Sequence, residues 1–284
     1  MAQLGNGLDS EGLGRTQELV KLASVAKEWG LFLVINHGIE DSVLHGVEDV
    51  VRGFFRLSFE DKKSSVGTYM DVDNLGYGQN FVRSEEEPLG WIDRLAMKAA
   101  PSEASEGLLV WPRNPANFRQ VMEQFAEEAR KVCNHLLEAL ADSLSLEKQA
   151  RFGLGPTSTL GCKCTNFTNA VWCHRRASSP QRREMVHGAM ARNTLLVSVG
   201  DLMEIMSNGR VKSSWHRVAT LADVERFSVA LFYNPPSEVE IEPVEGEGPR
   251  DESYKKVVVG EYVRNSYKYS LAIDKQPMMN FAKN

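Results

Sequence analysis

Long apolar runs, positive charge and cysteine are all scarce in this 284-residue chain, and each shortage excludes something. No run approaches the ~20 apolar residues of a membrane span, so no transmembrane segment and no membrane partner are expected. The first residues, MAQLGNGLDSEGLGR, hold neither a basic nor an apolar signal region, and no secretory leader is expected. The four cysteines, Cys133, Cys162, Cys164 and Cys173, are then expected reduced, in a cytoplasmic protein. Lys and Arg number 33 against 38 Asp and Glu, a net charge of −5, which argues against a nucleic-acid or membrane-surface partner. What remains is 42% hydrophobic and 25% charged, the make-up of a globular chain with one large domain or two small ones.

Helical periodicity dominates the first half. Residues 16–29 put Leu19, Leu22, Ala23, Ala26 and Trp29 on one stripe, and Gly30 is a natural stop. LFLVINHGI comes next as a buried strand, with His37 expected in a hydrogen-bonded structural role. A second helix is expected over 42–55, with Val43, Val47, Val50, Val51 and Phe54 inward. Ser58 and Asp61 then form a capping pattern. Residues 67–115 carry GYGQNF and WIDRLAMKA, a loop and a strand. The clearest helix begins near Pro115 and keeps Phe118, Val121, Met122, Phe125, Ala129, Val132, Leu136, Leu140 and Leu144 in phase. Beyond residue 193 the pattern becomes short β-rich runs, NTLLVSVGDLMEIMSNGRVKSSWHRV and RFSVALFYNPP. Turn dipeptides such as Asn208-Gly209 and Pro235-Pro236 punctuate them. Helices first and strands later predict an α+β fold.

Residues 153–192 fit neither half. They show neither helical nor strand periodicity, and they crowd Arg, Ser and Cys. Composition suggests a loop, yet some 40 structureless residues inside a compact domain are improbable. Cys162, Cys164, Cys173 and His174 offer four zinc donors there, but one residue between the first two cysteines is tight for zinc, and chance cysteines are the better reading.

Site candidates lie further on. His216 in SSWHRV is a lone histidine, more often structural than ligating. Arg226 and Ser228, two residues apart in an apolar run, share a strand face and make a fork-plus-hydroxyl receptor for a carboxylate.

Together, KEWGLFLVINHGI, GFFRLSFEDKKS, GYGQ, VSVGDLMEIMSNGRVKSSWHRV and ERFSVALFYNP resemble the plant iron(II)/2-oxoglutarate-dependent dioxygenases, in the branch of S-norcoclaurine synthase 1-like and codeine demethylase-like enzymes. The resemblance covers about 16–152 and 193–270. It implies a double-stranded β-helix (a jelly roll) with a helical N-terminal cap over 1–112, a jelly-roll domain over 113–284 and a long backing helix. The implied cofactors are Fe(II) and 2-oxoglutarate, with ascorbate as reductant. The implied partners are O2 and a small plant metabolite, which a monomer would hydroxylate, demethylate or desaturate. By motif, His216 is the distal iron ligand, and Arg226 and Ser228 bind the 2-oxoglutarate carboxylate. Substrate contacts would come from the 77–81 region and from the neighbourhood of Phe232 and Tyr233.

One departure is decisive. The family's iron is held by a His-x-Asp pair and a distal His, yet no histidine here is followed two residues later by Asp or Glu. Neither His174 nor His187 lies in a strand-like pattern that could replace the missing ligand. Read one base out of step, Ser158-Thr159-Leu160-Gly161 can encode Pro-His-Ser-Asp, and Met185 must give tryptophan because ATG followed by G reads TGG. The block therefore looks like out-of-frame translation, with a short deletion near 153 and the frame restored near Asn193. On that reading the barrel loses strands, the sheet gains an exposed edge, and the chain is impaired or inactive. The alternatives are a non-catalytic dioxygenase-like binding protein and a faulty gene-model or splice product.

Overall fold

Val43, Val47, Val50, Val51 and Phe54 recur at helical spacing, and in a computed structural model all five are buried on one face of α2 (Asp41–Phe55). The structure describes residues 3–4, 13–66, 75–78, 92–100, 110–144, 157–165, 167–176, 183–189, 193–214, 216–220, 226–244, 254–269 and 281–283. Helix α1 (Leu13–Glu28) precedes α2, and two residues past its end stands Gly30, whose φ of 60° suits glycine after a helix stop. Between them β2 (Leu31–Ile35) is buried at four of its five positions, as an apolar strand bounded by a turn should be. Ser58 caps α3 (Phe59–Ser65) as the pattern predicts: its hydroxyl oxygen accepts the Asp61 amide at 3.1 Å. The long helix α4 (Phe118–Ser143) buries Phe118, Met122, Phe125, Ala129, Leu136 and Leu140.

Helices α2 and α4 and the strands β3 (Gly76–Gly78) and β4 (Ile92–Ala100) enclose the main core. Phe54 is its centre, meeting Phe55, Tyr77 and Phe118 edge to face at 5.1, 5.7 and 5.8 Å. Such pairs add about 0.5–1.5 kcal/mol each beyond the area they bury.

Residues 153–192 correct the expectation of lost strands. Their backbone supplies β5 (Thr157–Thr165), β6 (Phe167–Arg176) and β7 (Arg183–Ala189). Strand β5 lies between β4 and β10 (Arg226–Asn234), so the first sheet runs β10-β5-β4-β3. One residue later the chain enters β6, which lies between β7 and β9 (His216–Thr220) in a second sheet. The block thus fills interior positions in both sheets. Ladder hydrogen bonds use backbone groups that every residue but proline carries, and the Thr, Val and Trp of this block suit a pleated surface. Pairing can therefore survive where side-chain periodicity does not. A third sheet joins β1 (Gln3–Leu4), β2 and β8 (Thr194–Ser198), and β11 (Glu240–Ile241) pairs with β12 (Val257–Val258). Among the described residues these are separate sheets, not one closed barrel.

A second correction falls after β8. DLMEIM is not a β run but α5 (Asp201–Met206), with Leu202, Ile205 and Met206 buried. That face packs on Tyr254 and Val257 and on Val259 and Tyr262 of α6 (Val259–Tyr269). Six residues are too few for the helical period to stand out from a strand. The Asn208-Gly209 turn is as expected, with both residues at positive φ.

Candidate functional site

Strand β10 carries its two faces in clear alternation. Phe227, Val229 and Leu231 pack on the main core, and the Tyr233 hydroxyl donates to Asn134 Oδ1 on α4 at 2.7 Å. Ser228, Ala230 and Phe232 therefore turn to the opposite face. Phe232 is 49% exposed there, while Ser228 is half-buried. Arg226 begins the strand two residues before Ser228. Its backbone pairs with Thr165, and its side chain lies outside the described residues. Arg94, which no sequence pattern singles out, joins this row. Ser228 pairs with Lys163, and Lys163 pairs with Arg94 on β4, so the buried Arg94 stands in cross-strand line with Ser228.

His216 opens β9 in the other sheet, where its Cα partner is Cys173. The imidazole is exposed, and its Nδ1 lies 3.1 Å from the Ser214 carbonyl. With Nδ1–H donating to that carbonyl, Nε2 keeps its lone pair for a ligand. The receptor residues and the histidine thus stand on different sheets. Strands β10 and β6 approach one another, which brings the two sheets together.

The four zinc candidates separate from one another, although Cys164 pairs with Phe227 and Cys173 with His216. Cys162 and Cys164 are on β5, and Cys173 and His174 on β6, in two different sheets; His187 is on β7, and all their side chains lie outside the described residues. Thr159 and Gly161 pair with Phe232 and Ala230, whereas it is Thr165 that faces Arg226. His37 is half-buried and hydrogen-bonded: its Nδ1 accepts the Ile39 amide at 3.1 Å, and burial holds the ring below its ordinary pKa. Tyr77, expected near substrate, is instead in the core, with its hydroxyl on Asp93 Oδ1 at 2.9 Å. Phe81 lies outside the described residues.

Two family models match this chain. One describes the N-terminal region of the non-haem dioxygenase in morphine synthesis, over residues 3–114, and the other the 2OG-Fe(II) oxygenase superfamily, over 127–235. Lateral Branching Oxidoreductase 1 of Arabidopsis thaliana is 32% identical over 94% of this chain and 79% of its own length. S-norcoclaurine synthase 1 of Coptis japonica is 30% identical over 80% of this chain and 70% of its own. The crystal structure of JOX2 in complex with 2OG, Fe and JA has the same fold: its TM-score is 0.78 at 20% identity, over 92% of this chain and 83% of that one.

The fold is thus that of the double-stranded β-helix oxygenases. The chain belongs to the plant 2-oxoglutarate- and Fe(II)-dependent dioxygenase family. Fe(II) and 2-oxoglutarate are that family's cofactors, O2 and a small molecule its co-reactants, and oxidation of plant metabolites its activity.

Among the described residues no iron site of that kind is complete. A facial triad needs two histidines and a carboxylate. Among the described residues no group of three His, Cys, Asp or Glu side chains could hold a metal ion. The whole sequence has no His-x-Asp or His-x-Glu.

Proposed function

We propose that this chain is an impaired member of its family, retaining the 2-oxoglutarate receptor without a competent iron centre. Arg226 would pair with the distal carboxylate of 2-oxoglutarate, and Ser228 would donate its hydroxyl to the same group. His216 would hold one iron position. Phe232, exposed on the Ser228 face of β10, would meet the substrate, a small plant specialised metabolite. An intact site would hydroxylate, demethylate or desaturate it, with ascorbate keeping the iron reduced.

The reading also keeps a cap over 1–112, a jelly-roll domain over 113–284, a monomer and a cytoplasmic setting. No helix among the described residues is long and apolar enough to cross a membrane.

The observation that carries the reading is the absence of His-x-Asp and His-x-Glu from all 284 residues, beside an intact Arg226-x-Ser228 strand. With one of three protein ligands left, turnover is expected to be absent or very low. The test is succinate production from 2-oxoglutarate with Fe(II) and ascorbate, against His216→Ala. Equal, background-level signals support the reading. Robust succinate production that His216→Ala abolishes would overturn it.

A further inference from the structure

His216 is preceded by a segment that other parts of the chain hold from two sides. The Lys212 amide donates to the Ala26 carbonyl at 3.0 Å, and the Ser214 hydroxyl donates to the Trp29 carbonyl, both at the end of α1. On the other side, the Ser213 amide donates to Glu204 Oε2 at 2.6 Å. Glu204 is 7% exposed on α5, with Oε1 accepting the Tyr254 hydroxyl at 2.8 Å and forming an ion pair with Lys212 Nζ at 3.5 Å. A buried carboxylate with two donors and one cation around it is fixed in place, and a charge-assisted bond to a backbone amide is among the stronger hydrogen bonds.

Gly30 makes this seating possible. It has φ +60°, and a Cβ there would collide with the Lys212 carbonyl, lying 2.8 Å from its carbon and 3.1 Å from Ser214 Oγ. Both the conformation and the close approach call for glycine. The segment ends at the Ser214 carbonyl, which is the partner of His216 Nδ1.

We propose that Gly30 and Glu204 are positioning residues for His216. By seating 212–214 they aim the Ser214 carbonyl at Nδ1–H, fix the ring's tautomer and leave Nε2 as its acceptor nitrogen. Gly30, far away in the N-terminal region, and Glu204, on a short helix braced by the C-terminal segment, thus converge on one imidazole. The functional meaning rests on the reading of His216 as the remaining ligand position, but the test needs neither metal nor turnover.

The experiment reads the tautomer of His216 in the metal-free full chain from its ring nitrogen and carbon NMR shifts, with His216→Gln assigning the signals. The intact chain should show the Nδ1–H form in excess. Glu204→Met removes the acceptor of the Ser213 amide at similar volume, and should move the tautomer ratio toward Nε2–H by about tenfold. Gly30→Ala should move it in the same direction. Glu204→Gln keeps an oxygen facing Ser213 and should preserve the intact ratio, which a purely structural role for the carboxylate's charge would not produce. An unchanged ratio in folded Glu204→Met and Gly30→Ala, or mixed tautomers in the intact chain, would overturn the proposal.

If neither variant folds, amide exchange in the intact chain decides. Ser213 exchanging as slowly as the buried Val211 amide supports the seating, and exchange at the rate of an exposed loop overturns it. A finding that His216 plays no part in cofactor binding would leave these readouts untouched, so the two failures remain distinguishable.

Discussion

Replacing Lys62 by methionine should destabilise the chain by about 2 kcal/mol, and the geometry around it gives the reason. Lys62 is 8% exposed on α3, and its Nζ lies 2.5 Å from Asp93 Oδ2 and 3.3 Å from the Phe55 carbonyl. It also sits 5.5 Å from the centre of the Tyr77 ring, whose hydroxyl donates to the other Asp93 oxygen. Breaking a fully buried ion pair costs about 3–5 kcal/mol, because one charge is left without compensation. The Asp93 side chain is 32% exposed and keeps both water and Tyr77, which reduces that penalty by roughly half. Methionine matches the lysine stem in length, so lost packing contributes little. Lys62→Met with Asp93→Leu removes both charges and should recover most of the loss, short of about 1 kcal/mol for the acceptor that Tyr77 loses. Urea unfolding measures both variants, with an unchanged slope showing that only stability moved. A single variant within about 0.5 kcal/mol of the parent, or a double variant weaker than the single, would refute the reasoning.

The histidine in VINHGI carries a pH prediction. Burial lowers the His37 pKa, partly opposed by Asp41, so below about pH 7 the unfolded chain binds a proton that the folded one resists. Stability should therefore fall as the pH drops through the ordinary histidine range and level off below the folded value. His37→Gln should flatten that slope between about pH 7 and 5 in a denaturation series, and an unchanged slope would discount His37. The frame reading of residues 153–192 is checked at the transcript. Codons 150–195 should show a one-base offset closing near Asn193, and an uninterrupted frame across them would end that idea.

How much of the molecule was legible in the sequence depends on length and on partners. The α2 valines, the Ser58 cap and the long stripe of α4 could be read, because each repeats a local rule over several residues. Helix α5 could not, since Leu202, Ile205 and Met206 make only one turn of pattern. Strands β5 to β7 were invisible because their residues do not alternate in polarity; what places β5 and β6 is pairing with β4, β9 and β10, distant in sequence, and β7 follows by pairing with β6. His216, Arg226 and Ser228 stand out by motif. Their supports do not: Glu204 reads as an ordinary helix acid until the Ser213 amide and Tyr254 are found on it, and Gly30 reads as a helix stop until the Lys212 carbonyl is found against it. Arg94 carries no signal either, because its alignment with Ser228 passes through two strand pairings.

The proposal is that the family's fold is kept here without its iron ligand set. Equilibrium dialysis of Fe(II) against the purified chain under reducing, anaerobic conditions, with saturating 2-oxoglutarate, tests that claim most directly. The account predicts far less than one retained iron per chain and no difference between the intact protein and His216→Ala. One tightly held iron per chain, lost in His216→Ala, would contradict it.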